Sequence, residues 1–284
     1  YNFSTDNHYY WSERYLGLAM LDERSKKLRR LIIRMVETGR RGHIGPAASL
    51  VEILRVLYDS WLNFQPENPR WRDRDRLILS KGHGCLALYA ILADKGFFPI
   101  EELDRFCFSE SFLGGHPEDK IPGVEASTGA LGHGLPIGVG MALAGKIRRQ
   151  EHRVAVIVGD GEINEGSTWE AAMSAAKHNL INLTVLVDYN KYQSYGPTSV
   201  VLELEPLADK WQAFGFGVME VDGHDHVEIL NALNRTPISK AKPSLVICHT
   251  TKGKGFPMAE NRAEWHHKSR LSDADIASLY ACLG

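Results

Sequence analysis

The first residues with chemical promise are Gly159-Asp160-Gly161, which follow the apolar run Val154–Val158, and Asp188-Tyr189-Asn190, which follow the run Leu183–Val187. Asn190 lies 30 positions after Asp160 (190 − 160), about what one strand-helix-strand crossover takes. The two side chains can therefore meet at one sheet edge. A carboxylate, an amide oxygen and a nearby backbone carbonyl are hard oxygen ligands, suited to Mg²⁺ or Ca²⁺ completed by diphosphate oxygens. The glycines carry no Cβ, so their backbone N–H groups can approach a phosphate where a helix is about to begin. A Gly-Asp-Gly alone is more often an ordinary turn. The asparagine at crossover distance, with both members following strands, is what favours a site.

Histidines form the second group. Imidazole can give and take a proton near neutral pH, and His43, His83 and His116 all sit in glycine-flanked segments, Gly42-His43-Ile44-Gly45, Gly82-His83-Gly84 and Gly114-Gly115-His116. His8, His152 and His178 lack that setting and read as surface or helix-capping residues. A zinc site is not indicated, because the histidines lack H-E-x-x-H spacing and no cysteine joins them in a ligand pattern. Nor does Gly132-His133-Gly134-Leu135 read as a dinucleotide fingerprint: no convincing strand precedes it, and Gly138 falls one residue late.

Positioning such residues needs a regular frame. Leu28, Leu31, Ile32, Met35 and Val36 recur at helical spacing among Lys and Arg, and Ser49 is placed to cap a second helix carrying Leu50, Ile53, Leu54, Leu57 and Tyr58. Beyond Asp75 come five short apolar runs, 76–80, 154–158, 183–187, 217–221 and 244–248. Helical stretches expected at 169–178, 206–214 and 225–233 separate them. Runs apolar on both faces, alternating with helices, predict right-handed βαβ crossovers, hence an α/β fold with a parallel sheet covered by helices on both faces. Ligands of such sheets bind beyond the strands' carboxyl ends.

The bulk properties agree. A net charge of −2 over 284 residues offers no basic surface for nucleic acid, and no apolar run reaches the ~20 residues of a membrane span. Tyr1–Trp11 do not read as an export signal. Cys85, Cys107, Cys248 and Cys282 are widely spaced, with no disulfide framework, which fits a reducing cytoplasm.

Taken together, these segments resemble the N-terminal, diphosphate-binding half of transketolase. The resemblance rests on Gly159-Asp160-Gly161 with Asn190, Gly42-His43-Ile44-Gly45, Ser80-Lys81-Gly82-His83, Gly114-Gly115-His116-Pro117-Glu118, and Ser127-Thr128-Gly129-Ala130-Leu131-Gly132-His133-Gly134. Thr251-Lys252-Gly253-Lys254-Gly255 and Glu264-Trp265-His266 complete it, so that it runs from about Leu28 to His266. It implies one thiamine diphosphate-binding domain over 1–284, with an N-terminal helical extension over about 1–27.

The resemblance also assigns roles. Asp160, Asn190 and the Tyr192 carbonyl are the implied metal ligands, for Mg²⁺ or Ca²⁺. His83, Gly129, Leu131, Gly159, Gly161, Glu162 and Lys252 are implied around thiamine diphosphate. His43, His116 and His266 are implied in a substrate channel, where moving a ketol unit requires repeated proton movement on hydroxyls. Glu165, expected to take part in catalysis through proton sharing between sites, and Glu170 match positions near a subunit contact.

In that family the glutamate acting on the aminopyrimidine lies on a separate domain, with most of the substrate-phosphate clamp. The resemblance therefore implies one half of a split, two-chain enzyme. A partner chain would supply the pyrimidine-binding domain in an α2β2 assembly, acting on sugars or sugar phosphates. The rival enzyme readings are a deoxyxylulose-phosphate synthase, a 2-oxo acid dehydrogenase component and an acyloin- or ketol-transfer synthase of a specialised pathway. A non-catalytic cofactor-binding subunit is the rival of another class. Three departures from the family pattern are Gly-His-Ile-Gly-Pro at 42–46, His133 for a common Gln and His267 for a common Gly; the first two touch the cofactor and substrate surroundings and leave room for an unusual donor or acceptor.

Overall fold

The computed structural model describes residues 21–284. The expected extension over about 1–27 lies outside the described residues up to position 20. Its last residues, from Glu23, form the first turn of α1 (Glu23–Gly39), whose N-cap Asp22 accepts the Ser25 N–H at 2.8 Å. The short helices α2 (Ile44–Ala48) and α3 (Val51–Val56) follow.

All five expected strands form: β1 (Arg76–Leu79), β2 (Val154–Gly159), β3 (Leu183–Tyr189), β4 (Gly217–Asp222) and β5 (Ser244–His249). They make one parallel sheet in the order β1-β2-β3-β5-β4, with Gly159 paired to Asp188 and Tyr189 to His249. All carboxyl ends thus share one edge. The helices between strands are α4 (Cys85–Asp94), α5 (Gly134–Ile147), α6 (Gly166–Lys177), α7 (Leu207–Ala213) and α8 (His226–Leu233), and α9 (Asp273–Ala281) closes the chain.

Strand residues alternate between two buried layers, as the pleat requires. Leu77, Leu79, Ala155, Ile157, Leu186 and Val246 pack with apolar residues of α1–α4, α8 and α9. Ile78, Val156, Val158, Val185, Val187 and Ile247 pack with those of α5, α6 and α7. Helix α5 reaches the sheet through glycines: a Cβ on Gly134 would stand 2.3 Å from the Ser80 Oγ, and one on Gly138 2.4 Å from Val156 Cγ2. That close approach holds the turn before α5 against the end of β1.

One local expectation changes. Ser49 does not N-cap the helix that follows it; Leu50 takes that place, and Ser49 closes α2 instead. Its hydroxyl is buried and donates to the Asp188 carboxylate at 2.6 Å and to the Pro46 carbonyl at 3.1 Å. Within α1, Arg29 is fully buried, donating to both oxygens of Glu52 at 2.7 and 3.0 Å. A buried guanidinium needs that pairing to offset its lost hydration.

Candidate active site

At the carboxyl end of β2 the chain turns into a short 3₁₀ segment, Gly161–Asn164, capped by Asp160, whose Oδ1 accepts the Gly161 N–H at 2.7 Å. The other oxygen, Oδ2, is buried and accepts no hydrogen bond among the described residues. Burial, with the Asp188 charge behind it, pushes the Asp160 carboxyl up to about 7. A buried carboxylate oxygen left without a partner is costly unless a cation completes it.

One strand over, Asp188 is the penultimate residue of β3 and is completely buried. It forms an ion pair with Lys81, accepts the hydroxyls of Ser49 and Thr250, and receives the Asn190 amide N–H at 3.3 Å. Burial alone would raise its carboxyl; the Lys81 ammonium and these donors hold it below the usual carboxylate range. Through that amide bond Asp188 orients Asn190, whose Oδ1 accepts the Tyr192 N–H at 3.1 Å.

The Tyr192 carbonyl in turn accepts the Lys252 ammonium at 3.1 Å, and Lys252 also donates to the Gln193 carbonyl at 3.0 Å and to His266 Nδ1 at 2.8 Å. Burial, then the nearby Lys81 charge, lowers Lys252 to about 8. Asp160, Asn190, Tyr192 and Lys252 line one cleft of about 210 Å³. An unpartnered carboxylate oxygen, an amide oxygen and a carbonyl in one cleft fit a hard cation bridging to diphosphate, with Lys252 and the Gly159 and Gly161 backbone beside it.

The histidines gather across the cleft. His43 has its ring centroid 5.6 Å from His83, 5.5 Å from His266, 5.8 Å from His116 and 4.5 Å from His267. Burial, followed by the charges of His267 and His116, lowers His43 to about 3; burial and Lys252 do the same to His266. His83 is lowered well below its ordinary value by burial and Lys81. At neutral pH these three rings are uncharged, each with one N–H donor and one acceptor nitrogen.

Most of the residues singled out in the sequence meet here. His83, Gly129, Leu131, Gly159, Gly161 and Glu162 share the cleft with the four polar ligands and with His43 and His266. His116 stands outside it, against the far side of His43. Glu162 braces the frame: its buried carboxylate accepts Ser80 Oγ at 2.5 Å, the Gly132 N–H at 2.9 Å and the Gly159 N–H at 3.1 Å. It thereby joins β1, β2 and the turn before α5. Glu165 is not in the cleft; it is the exposed residue preceding α6, against Gly132. Residues to which the sequence gives no role in the site are Lys81, Asp188, Ser49 and Thr250. The first two sit inside recognisable motifs, but nothing in sequence pairs a lysine with an aspartate 107 positions away.

Comparison with known proteins decides the family. The profile described as transketolase, thiamine diphosphate binding domain, matches residues 22–284. The chain belongs to the transketolase family. It is 44% identical over 260 residues to an apulose-4-phosphate transketolase subunit of Actinobacillus succinogenes, covering 91% of this chain and 94% of that one. To the 6-deoxy-6-sulfo-D-fructose transketolase subunit SqwG of a Clostridium species it is 41% identical over 248 residues, with 87% and 90% covered. Human transketolase is 34% identical over 268 residues, but those are 93% of this chain and 42% of that one. The crystal structure of Campylobacter jejuni transketolase superposes with a TM-score of 0.85 at 33% identity, covering 93% of this chain and 43% of that one. The chain thus spans less than half of the long transketolases and nearly all of the relatives named as transketolase subunits, as a thiamine diphosphate-binding transferase subunit of the split form does.

Proposed function

We propose that this chain is the diphosphate- and metal-binding subunit of a two-chain transketolase that moves a two-carbon ketol unit from a ketose or ketose phosphate to an aldehyde. The observation that carries the reading is the buried, unpartnered Oδ2 of Asp160 in one cleft with Asn190, Tyr192 and Lys252, faced by neutral histidines.

Asp160, Asn190 and the Tyr192 carbonyl would hold Mg²⁺ or Ca²⁺, and Lys252 and the Gly159–Gly161 backbone would hold the diphosphate. When bound, thiamine diphosphate supplies the carbon nucleophile that accepts and releases the two-carbon unit. This chain's part is to position and to move protons. His43, uncharged at neutral pH, offers an N–H to substrate hydroxyls and a free nitrogen to a departing hydroxyl proton. His266, whose Nδ1 accepts Lys252, offers only its Nε2 N–H, and His83 faces the cofactor. His116, exposed beside His43, meets the substrate farther out. Asp188 acts through Asn190, and Glu162 through the loops it ties together.

A partner chain carrying the pyrimidine-binding domain would complete the site in an α2β2 assembly. The names of the short relatives, each a transketolase subunit, and the share of the long transketolases left uncovered support this. Glu165 and Glu170, both exposed around the first turn of α6, would meet it and share protons there. All four cysteines are free thiols, in keeping with a reducing cytoplasm, and no helix among the described residues is long and apolar enough to cross a membrane.

The test is reconstitution. The chain mixed with its partner, thiamine diphosphate and Mg²⁺ should convert a ketose and an aldehyde into the exchanged pair, with neither chain active alone. Cofactor binding without any exchange would favour a non-catalytic binding role, and no binding under either condition would remove the proposal.

A further inference from the structure

Behind His43 lies a second cavity, of about 410 Å³, separate from the cofactor cleft but sharing His43 as a wall. Arg41, His116 and His267 also line it, over an apolar floor of Phe106 and Phe108, and no carboxylate among the described residues lines it. An antiparallel bridge between Gly42 and Lys268, with N–H to carbonyl distances of 2.9 and 3.0 Å, pins the two segments together. That bridge sets His43 opposite His267. Gly42 sits at φ +147, where a Cβ would meet Leu86 at 3.0 Å, so the segment cannot shift easily.

The Arg41 guanidinium has no acceptor among the described residues. Its neighbour Arg40 pairs with Asp273 at 2.6 Å and Arg34 with Asp104 at 2.5 Å, whereas Arg41 is exposed and unpaired. The backbone acceptors of the opposite wall are already engaged: the Gly114 and His116 carbonyls accept the Tyr89 hydroxyl at 3.0 and 2.8 Å, and the Gly115 carbonyl accepts Cys85 Sγ–H at 3.1 Å. What faces the cavity is therefore one cationic donor and imidazoles that can each turn an N–H to a ligand, over an apolar floor. A planar guanidinium in such a place matches a tetrahedral oxyanion, which it can grip with two parallel N–H groups.

We propose that this cavity receives the anionic end of the sugar substrate, a phosphate ester or a sulfonate, with Arg41 as this chain's donor to it and His267 beside it. The inference rests on the transketolase reading, which puts the reacting end of the sugar on the cofactor side of His43. It assigns part of substrate selection to this chain, with Arg41 as the specificity-determining residue. His267, the histidine where the family commonly has glycine, gains a use.

The experiment uses the chain reconstituted with its partner. With D-glyceraldehyde 3-phosphate as acceptor, Arg41→Gln should raise KM about tenfold, the effect of losing one charge-assisted pair, while KM for D-glyceraldehyde moves less than twofold. Arg41→Lys should fall between, since a point charge replaces the fork. Calorimetric titration of the same complex with methylphosphonate and with methanesulfonate reads the site without turnover. Binding of either that weakens about tenfold in Arg41→Gln supports the proposal, and the tighter of the two identifies the tail. Absence of turnover with both aldehydes would sink the transketolase reading alone. Methylphosphonate and methanesulfonate affinities that are negligible, or equal in wild type and Arg41→Gln, would overturn the anion site whatever the turnover.

Discussion

Replacing Asp160 with Asn should stabilise the metal-free chain. In the fold its carboxyl titrates at about 7, whereas in an unfolded chain an aspartate titrates near 3.9. A carboxyl raised by folding keeps a proton that the unfolded chain releases, so stability is full below about pH 4 and falls as pH rises through that window. The loss is about 1.4 kcal/mol per pH unit, roughly 4 kcal/mol in all, and constant above pH 7. The amide has no charge to bury and escapes this loss. Metal-free Asp160→Asn should therefore melt roughly 10 °C above metal-free wild type at pH 8, at about 2–4 °C per kcal/mol for a domain near this size. The gap should close as pH approaches 4. Adding Mg²⁺ with thiamine diphosphate should narrow the gap, because a ligand at 100 times its Kd adds about 2.7 kcal/mol to the wild type and nothing to a variant that cannot bind it, and should close it near 1,000 times Kd, where the gain is about 4.1 kcal/mol. Scanning calorimetry across pH 4 to 8 reads both effects. A melting difference independent of pH would refute the reasoning, since it would mean that Asp160 is not a carboxylate stranded by burial.

Three further outcomes follow from the same geometry. Lys81→Met leaves Asp188 buried without its counter-ion and should cost about 3–5 kcal/mol in urea denaturation; a loss below about 1 kcal/mol would mean that water, not Lys81, compensates Asp188. Within α5, Gly134→Ala drives a Cβ to 2.3 Å from Ser80 and should be destabilising, while Gly140→Ala, with nothing within 4 Å, should gain about 1 kcal/mol; equal effects would contradict the close packing of α5 on β1. His116→Ala should leave thiamine diphosphate affinity within about threefold while lowering turnover of the reconstituted enzyme at least tenfold, about 1.4 kcal/mol of barrier; loss of the cofactor in that variant would move His116 into the cofactor cleft.

The parts legible in the sequence are those governed by local period and crossover length. The strands stand out as short apolar runs, buried on both faces in β2, β3 and β5 and only partly so in the edge strand β4, and Asp160 and Asn190 can be brought together because each follows a strand tip. Helix α4, Cys85–Asp94, is not legible for the opposite reason: nine of its ten residues are buried, so no polar side marks a helical period. Ser49 resembles a cap because serine before an apolar run usually is one, but its hydroxyl serves Asp188, 139 positions away. The Lys81–Asp188 and Arg29–Glu52 pairs are likewise tertiary facts. A buried charge is visible in sequence only once its partner is known, and the partners lie on different elements. The histidine cluster is foreseeable as a set of glycine-flanked loops, whereas its neutrality depends on burial that only the assembled fold shows.

The central claim is that one divalent cation joins Asp160, Asn190 and the Tyr192 carbonyl to a diphosphate. Anomalous diffraction from crystals of the reconstituted complex grown with thiamine diphosphate and Mn²⁺ tests it directly. The account predicts one strong peak at about 2.1–2.3 Å from Asp160 Oδ2, Asn190 Oδ1 and the Tyr192 carbonyl oxygen, the contact range for a small hard cation. A manganese peak elsewhere, with Asp160 Oδ2 still lacking a partner, would contradict it.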